Sequence, residues 1–360
     1  MRLTPVALAL LSFLIVAHII SALALRLGFG DKYAVGVALE RALDASDTTA
    51  LFVGTSRIKY GLDPILFDAA VRSRGYRTTS YNMGVPALSF VEMEYLIHEY
   101  FAKRPCCVKY VFLEPDMVQE ASLREPNSVR SILFFNASNA LENFIYILQE
   151  KETLPPPISK WIFVKYVLIP FFRHYTNAGI FQSFLDDTHD NFRAQATLNG
   201  YISLAASHDR LSQKFDADAS LRGQYDAMLS ELAAPYSGAR ISNKEFARFL
   251  ELMDYIRSKG AQPIVLRPPQ FIYALYSAAV VDRIHATCSD AFPVLDFGSP
   301  ANNKELYDPQ NRVDYDHLNY EAAERFTQMV AHRFAKLLDA GHGAVATQTS
   351  ACIRRHDDLY

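Results

Sequence analysis

Short, almost wholly apolar runs alternate along this chain with stretches whose apolar residues recur every three or four positions. That is the pattern of buried parallel strands separated by amphipathic helices. Ala50-Leu51-Phe52-Val53, ending at Gly54, predicts a first strand. A helix is expected near Pro64 to Arg72, a second strand near Arg77 to Tyr81, a helix over Pro86 to Lys103 and a third strand at Val108 to Leu113, stopped by Glu114-Pro115. The alternation returns late. Ser242 and Glu245 form a capping box, Phe246, Phe249, Leu250, Met253 and Ile256 make an apolar stripe, and Gly260 ends that helix. Ile264-Val265-Leu266 and Pro293-Val294-Leu295 predict strands four and five. The last helix is expected to begin at Asn319 and to turn Phe326, Met329, Val330, Leu337 and Leu338 inward. The fold class is therefore α/β, a three-layer α/β/α sandwich on a mostly parallel five-stranded sheet.

Three regions depart from that grammar. Between about residues 119 and 240 the alternation is lost, which predicts a helical insertion in an α/β domain spanning residues 48–340. Inside it lies Trp161-Ile162-Phe163-Val164-Lys165-Tyr166-Val167-Leu168-Ile169-Pro170-Phe171-Phe172, too short and interrupted to span a bilayer. The favoured expectation is a core helix of the inserted subdomain, with a membrane-surface or partner-docking helix as the minority reading. Residues 341–360 carry no periodicity and are expected to form a mobile tail. At the other end, Pro5 to Leu25 has no charged residue, with Arg2 before it and Arg26 after it. At about 1.5 Å per residue the segment covers roughly the 30 Å hydrocarbon core. Residues 1–26 are expected to be a transmembrane anchor, followed by a linker over residues 27–47. Ala22-Leu23-Ala24 leaves a cleaved signal peptide as the rival, although the apolar core of such a peptide is usually only about 7–15 residues long. Either alternative places the remaining chain outside the cytoplasm.

Composition narrows the functions. Half of the 360 residues are apolar and the formal net charge is −3, which fits a folded protein and gives no cationic excess for a nucleic-acid surface. Cys106, Cys107, Cys288 and Cys352 show no metal spacing; in an oxidising compartment Cys106 or Cys107 could pair with Cys288, and free buried thiols are the alternative. Asp186-Asp187-Thr188-His189-Asp190 has metal-ligand residue types but reads as a solvated loop. No metal and no cofactor is expected.

Three short segments could carry chemistry. Gly54-Thr55-Ser56-Arg57 lies where the first strand ends, and ligands of open parallel sheets bind outside the carboxyl ends of strands. Asp314-Tyr315-Asp316-His317 precedes the last helix. A serine nucleophile needs a base, and an imidazole base needs a carboxylate on its other nitrogen. Asp314, three residues before His317, can fold back onto the ring, whereas the adjacent Asp316 is expected to point elsewhere. Tyr81-Asn82-Met83-Gly84 ends the second strand, where a glycine lets an N–H approach a reacting oxygen. Each segment alone also fits ordinary turn chemistry.

Taken together, in this order along an α/β chain, the three resemble the SGNH/GDSL hydrolase superfamily. Phrases such as LFVGTSRIKYGLDP, NMGVPALS and DYDHLNYEAAERF look most like its membrane-anchored, extracytoplasmic branch, which includes proteins of polysaccharide O-acetylation and of teichoic-acid D-alanyl transfer. The resemblance covers residues 48–116 and 242–338. It implies Ser56 as nucleophile, His317 as general base, Asp314 as the acid that orients it, and the N–H groups of Ser56 and Gly84 as oxyanion donors. It further implies an acyl donor, a polysaccharide or other hydroxyl acceptor, and a multispanning membrane acyltransferase as a partner. One departure stands out: the third block, which usually supplies an asparagine to the oxyanion hole, reads Leu113-Glu114-Pro115-Asp116. Asn82 or Arg57 would have to substitute. The expected function is an extracytoplasmic O-acyltransferase; the alternatives are a carbohydrate or lipid esterase and a non-catalytic glycan-binding or assembly factor.

Overall fold

In the computed structural model, the described residues are 4–26, 34–104, 106–115, 135, 137, 140, 141, 144, 145, 161, 163–176, 199–204, 210–233, 241, 243–272, 274–288 and 291–341. They fall into two compact units.

The larger unit, residues 41–119 and 196–360, holds the sheet. Its strands are β1 (Ala50–Val53), β2 (Ser80–Asn82), β3 (Tyr110–Leu113), β4 (Gln262–Arg267) and β5 (Val294–Asp296), in the order β2-β1-β3-β4-β5. Every pairing is parallel, with Leu51 opposite both Tyr81 and Val111, Leu113 opposite Val265, and Leu266 opposite Leu295. Successive strand residues face opposite sides. Phe52, Phe112, Ile264 and Leu295 join the core formed with the helices Pro64–Arg72 and Tyr320–Asp339. Phe334 of the last helix is central, its ring 5.2 Å from Phe112, 5.6 Å from Phe67 and 4.9 Å from Tyr110. The helices Asn243–Ser258 and Ala274–Cys288 pack on β4, and Phe249 meets Phe90 of the helix Phe90–Lys103.

Boundaries shift where side chains compete with the ladder. β2 starts at Ser80 rather than near Arg77, because Asp68 takes hydrogen bonds from Thr78 Oγ1, Ser80 N and Ser80 Oγ. The helix expected from Pro86 starts at Phe90, since Ser89 and Glu92 form a capping box after a turn in which Ala87 has φ 52°. The last helix is capped by Asn319 as expected; Phe326 and Val330 are buried, whereas Met329, Leu337 and Leu338 are only partly so. Ser242, Cys352, the segment 186–190 and the tail beyond residue 341 lie outside the described residues. Cys288 is disulfide-bonded, while Cys106 and Cys107 are free and exposed, so the expected pairing of either with Cys288 is corrected.

The smaller unit comprises residues 1–40 and 120–195. Pro5–Arg26 forms one helix of 22 residues. A membrane span is not thereby shown: among the described residues, which leave out some of its side chains, no helix is long and apolar enough to cross a membrane. A second helical segment follows from residue 163, with a π-turn at Val164–Leu168 and an α-helix at Ile169–Thr176. The core helix expected here is one-sided, because Trp161 is 74% exposed and Phe172 48%. Its inner side packs, Val167 lying with Phe135 and Ala140 against Phe144, Phe163 and Tyr166.

Candidate active site

β1 is buried throughout and ends at Gly54, after which the chain turns at once into the short helix Ser56–Gly61. Thr55 caps this helix, its Oγ1 accepting from the Arg57 N–H. Ser56 is thus the first helical residue, presented at the carboxyl edge of the sheet. A side chain at position 54 would collide with Ile58 and would stand 2.5 Å from Glu114 Oε2, so glycine is required there.

His317 arrives from the other end of the sequence. The loop that carries it closes on itself: Val313 N donates to the His317 carbonyl, and Arg312 bridges to Leu318. The Asp314 carboxylate folds back, accepting from the N–H groups of Asp316 and His317 at 2.8 Å each and from His317 Nδ1 at 2.8–2.9 Å. That fixes the tautomer and leaves Nε2 as acceptor for Ser56 Oγ at 2.7 Å. Ser56, His317 and Asp314 are therefore brought together across 261 positions of sequence. Burial pushes the Asp314 carboxyl up, but the hydrogen bonds and charge of His317, with the two amides, outweigh it and hold it at about 2. Tyr60 sets its ring edge-on to His317 at 5.6 Å, and a pocket beside the imidazole is lined by Arg57, Tyr60, Pro268, Pro269 and Leu318.

Sequence reasoning missed the supports of this arrangement. Arg312 is fully buried, its guanidinium 5.2 Å from the Phe271 ring and 5.5 Å from Tyr307. It donates to the carbonyls of Leu306, Asp314 and Tyr315, clamping the loop that presents His317. Asp316 points away from the imidazole, as expected. Its Oδ1 accepts from the amides of Phe271 and Ile272 at 3.0 Å, and its Oδ2 lies 3.6 Å from Arg57.

Glu114, in the place where the resemblance expects an asparagine, is wholly buried beneath the serine turn. It accepts from Thr55 N at 2.6 Å, Thr55 Oγ1 at 3.2 Å and Arg57 Nε at 2.7 Å. Arg57 also donates to the Ile272 carbonyl. A chain of charge, Glu114 to Arg57 to Asp316, thereby ties the serine turn to the histidine loop. The only legible signal was an acid at the end of strand three facing an arginine after strand one.

Of the expected oxyanion donors, Gly84, Asn82 and Arg57 are engaged within the fold. Gly84 N–H donates to Asn82 Oδ1 at 2.8 Å, and both protons of the Asn82 amide go to the carbonyls of Ile58 and Leu62 at 2.8 Å. Gly84 and Asn82 thus brace the Ser56–Gly61 helix, which approaches so closely that a Cβ on Gly84 would stand 2.6 Å from Lys59 N. Arg57 is held by Glu114. This leaves the Ser56 N–H, first of its helix and without an acceptor among the described residues. Among the described residues no group of three His, Cys, Asp or Glu could hold a metal ion. No protein-family model matches the sequence, and no curated protein is recognisably similar to it.

Proposed function

We propose that this chain is an extracytoplasmic, serine-dependent acyl-ester enzyme, anchored at the membrane through residues 5–25, that transfers an acyl group to a hydroxyl of a cell-surface polysaccharide. The observation that carries the reading is the 2.7 Å contact between Ser56 Oγ and His317 Nε2, with Asp314 on the other ring nitrogen. Ser56 Oγ bonds to the acyl carbon while His317 takes its proton, and the Ser56 N–H meets the developing oxyanion. The intermediate collapses, the donor's alcohol leaves with the proton from His317, and the acyl group stays on Ser56. An acceptor hydroxyl then attacks, His317 takes that proton, and Ser56 Oγ leaves with it, giving the new ester. Water in place of the sugar hydroxyl makes the same site an esterase. The polysaccharide acceptor, and a multispanning acyltransferase feeding the donor, rest on the resemblance to the SGNH/GDSL superfamily. A disulfide at Cys288 fits an oxidising compartment.

A second reading, a non-catalytic glycan-binding or assembly factor, is favoured by one observation. The Gly84 N–H and the Asn82 amide are both spent within the fold. A fluorophosphonate probe separates the two. Covalent labelling of the wild type but not of Ser56→Ala is the expected result, and a wild type that takes no label overturns the enzyme reading.

A further inference from the structure

The aromatic helix of the smaller unit has two apolar faces and only one of them is covered. Phe163, Val167 and Pro170 turn inward, where Val167 meets Phe135 and Ala140. The opposite stripe, Trp161, Lys165, Leu168, Phe172 and Tyr175, follows the spacing i, i+4, i+7, i+11, i+14 and is exposed along its whole length, with Ile169 beside it. A helix lying on a water-facing surface carries polar residues on its outer face; one that is apolar all round belongs in a core or in lipid.

Two further observations identify the cover. The helix packs against Pro5–Arg26, and His18 Nδ1 donates to the Tyr175 carbonyl at 2.7 Å. Leu8, Phe13, Val16, Ile19, Ile20 and Leu23 of that first helix are themselves exposed. The two packed helices therefore each leave a run of large apolar residues open, more than the isolated exposed residues normal for a soluble protein. Charge agrees: residues 161–176 contain Lys165, Arg173 and His174 and no acid, and residues 5–26 also contain none. Lys165, on a flexible stem over the Tyr166 ring, can carry its ammonium to anionic headgroups while the stripe sinks.

We infer that the helix spanning residues 163–176, led by Trp161, is a second membrane contact, lying in the headgroup region of an anionic bilayer alongside Pro5–Arg26. This rests on the reading of Pro5–Arg26 as the membrane anchor. About 16 residues at 1.5 Å make a rod of roughly 24 Å, too short to cross yet long enough to lie in the interface. The contact would hold the chain to the surface at a second point, beyond the first helix.

Trp161 is the single tryptophan of the chain, so its emission reports this stripe alone. The full-length protein, reconstituted in vesicles of phosphatidylethanolamine and phosphatidylglycerol containing brominated lipid, should float with the vesicles. Its emission should be blue-shifted and quenched roughly twofold, more by bromines near the headgroup end of the acyl chain than near its tip. Replacing Leu168 and Phe172 together by Glu should remove the quenching and leave flotation intact. Flotation with unquenched Trp161 overturns the inference and leaves the anchor standing. Failure to float overturns both. Shielding of Trp161 that appears only when a membrane protein is added also overturns it, in favour of a protein partner.

Discussion

Around Ser56, charged side chains have been taken out of water and each is given a partner. Glu114 holds Thr55 and Arg57, Arg57 reaches Asp316, and Arg312 clamps the carbonyls before His317. In the smaller unit the economy is reversed, because large apolar side chains such as Trp161 and Phe172 are left uncovered. A buried charge without a partner costs several kcal/mol, and an apolar surface facing water costs about 25 cal/mol per Å². The first region has met its cost within the fold. The second has not, and the inferred lipid contact would meet it from outside the chain. The difference teaches that substitutions near Ser56 should register in water, whereas those on the stripe should register chiefly when its inferred lipid cover is supplied.

The largest expected effect comes from the pair that shares the proton. Ser56→Ala and His317→Ala should each lower acyl-ester turnover by about 10³-fold or more. Ser56 is half-buried and fills no core space, so thermal unfolding of Ser56→Ala should stay close to that of the wild type. A stopped assay against a p-nitrophenyl ester, run beside calorimetry, checks both. Wild-type turnover equal to that of Ser56→Ala would leave the rim a well-built structure with no chemistry.

Next in size is Glu114→Gln. The shape is kept, but the guanidinium of Arg57 loses the carboxylate beneath it, and breaking one partner of a buried pair costs about 3 kcal/mol. Denaturant unfolding should show that loss, with turnover falling about tenfold or more because Thr55 and Arg57 flank Ser56 in the same turn. Adding Arg57→Met to Glu114→Gln should recover part of the stability, since the buried guanidinium is then gone and Asp316 keeps the amides of Phe271 and Ile272, while turnover stays low. A double variant no more stable than Glu114→Gln alone would sink the charge-chain account.

Asp314 gives a pH test. Its pKa is held at about 2 in the folded chain against an ordinary 3.8. A depressed folded value stabilises the fold above the unfolded one, and that contribution is lost as pH falls through the folded one. The stability gap between wild type and Asp314→Asn should therefore be flat from neutral pH down to about 5, then close between about 4 and 2. Turnover of Asp314→Asn should be about 10²- to 10⁴-fold lower at neutral pH, through loss of the correct tautomer. A gap that varies across the neutral range would show that other groups had moved as well.

These tests bear on what was legible beforehand. Strands one and three were readable because Ala50–Val53 and residues 111–113 are buried and wholly apolar. Ser56 was readable as a hydroxyl just after strand one, and Asp314 and His317 as an acid–base pair three residues apart before the last helix. Arg312 and Glu114 were not, since a charged residue in sequence looks the same whether it is solvated or sealed under a turn. Gly84 was misjudged for a related reason. A glycine after a strand offers an N–H, but only coordinates show that Asn82 takes it. Residues 161–172 mark the firmest limit: hydrophobic periodicity reports that a face avoids water, and a protein core and a lipid surface satisfy it equally. Boundaries failed for a smaller reason, the side-chain bonds of Asp68 and Ser89 overriding the apolar pattern by a few residues.

The smallest expected effect lies on the uncovered stripe. Phe172→Ser removes apolar surface that already faces outward, so chemical unfolding in lipid-free solution should change by no more than about 0.5 kcal/mol. Phe112→Ala, beneath the last helix, should cost about 3–5 kcal/mol in the same measurement. The contrast is between two phenylalanines of similar hydrophobicity, one with Phe52, Phe67 and Phe334 around it and one with an open outer side. If Phe172→Ser unfolded as readily as Phe112→Ala, its ring would have to be packed against protein in the isolated chain. The division between a self-sufficient rim and a lipid-dependent stripe would then fail at its most exposed point.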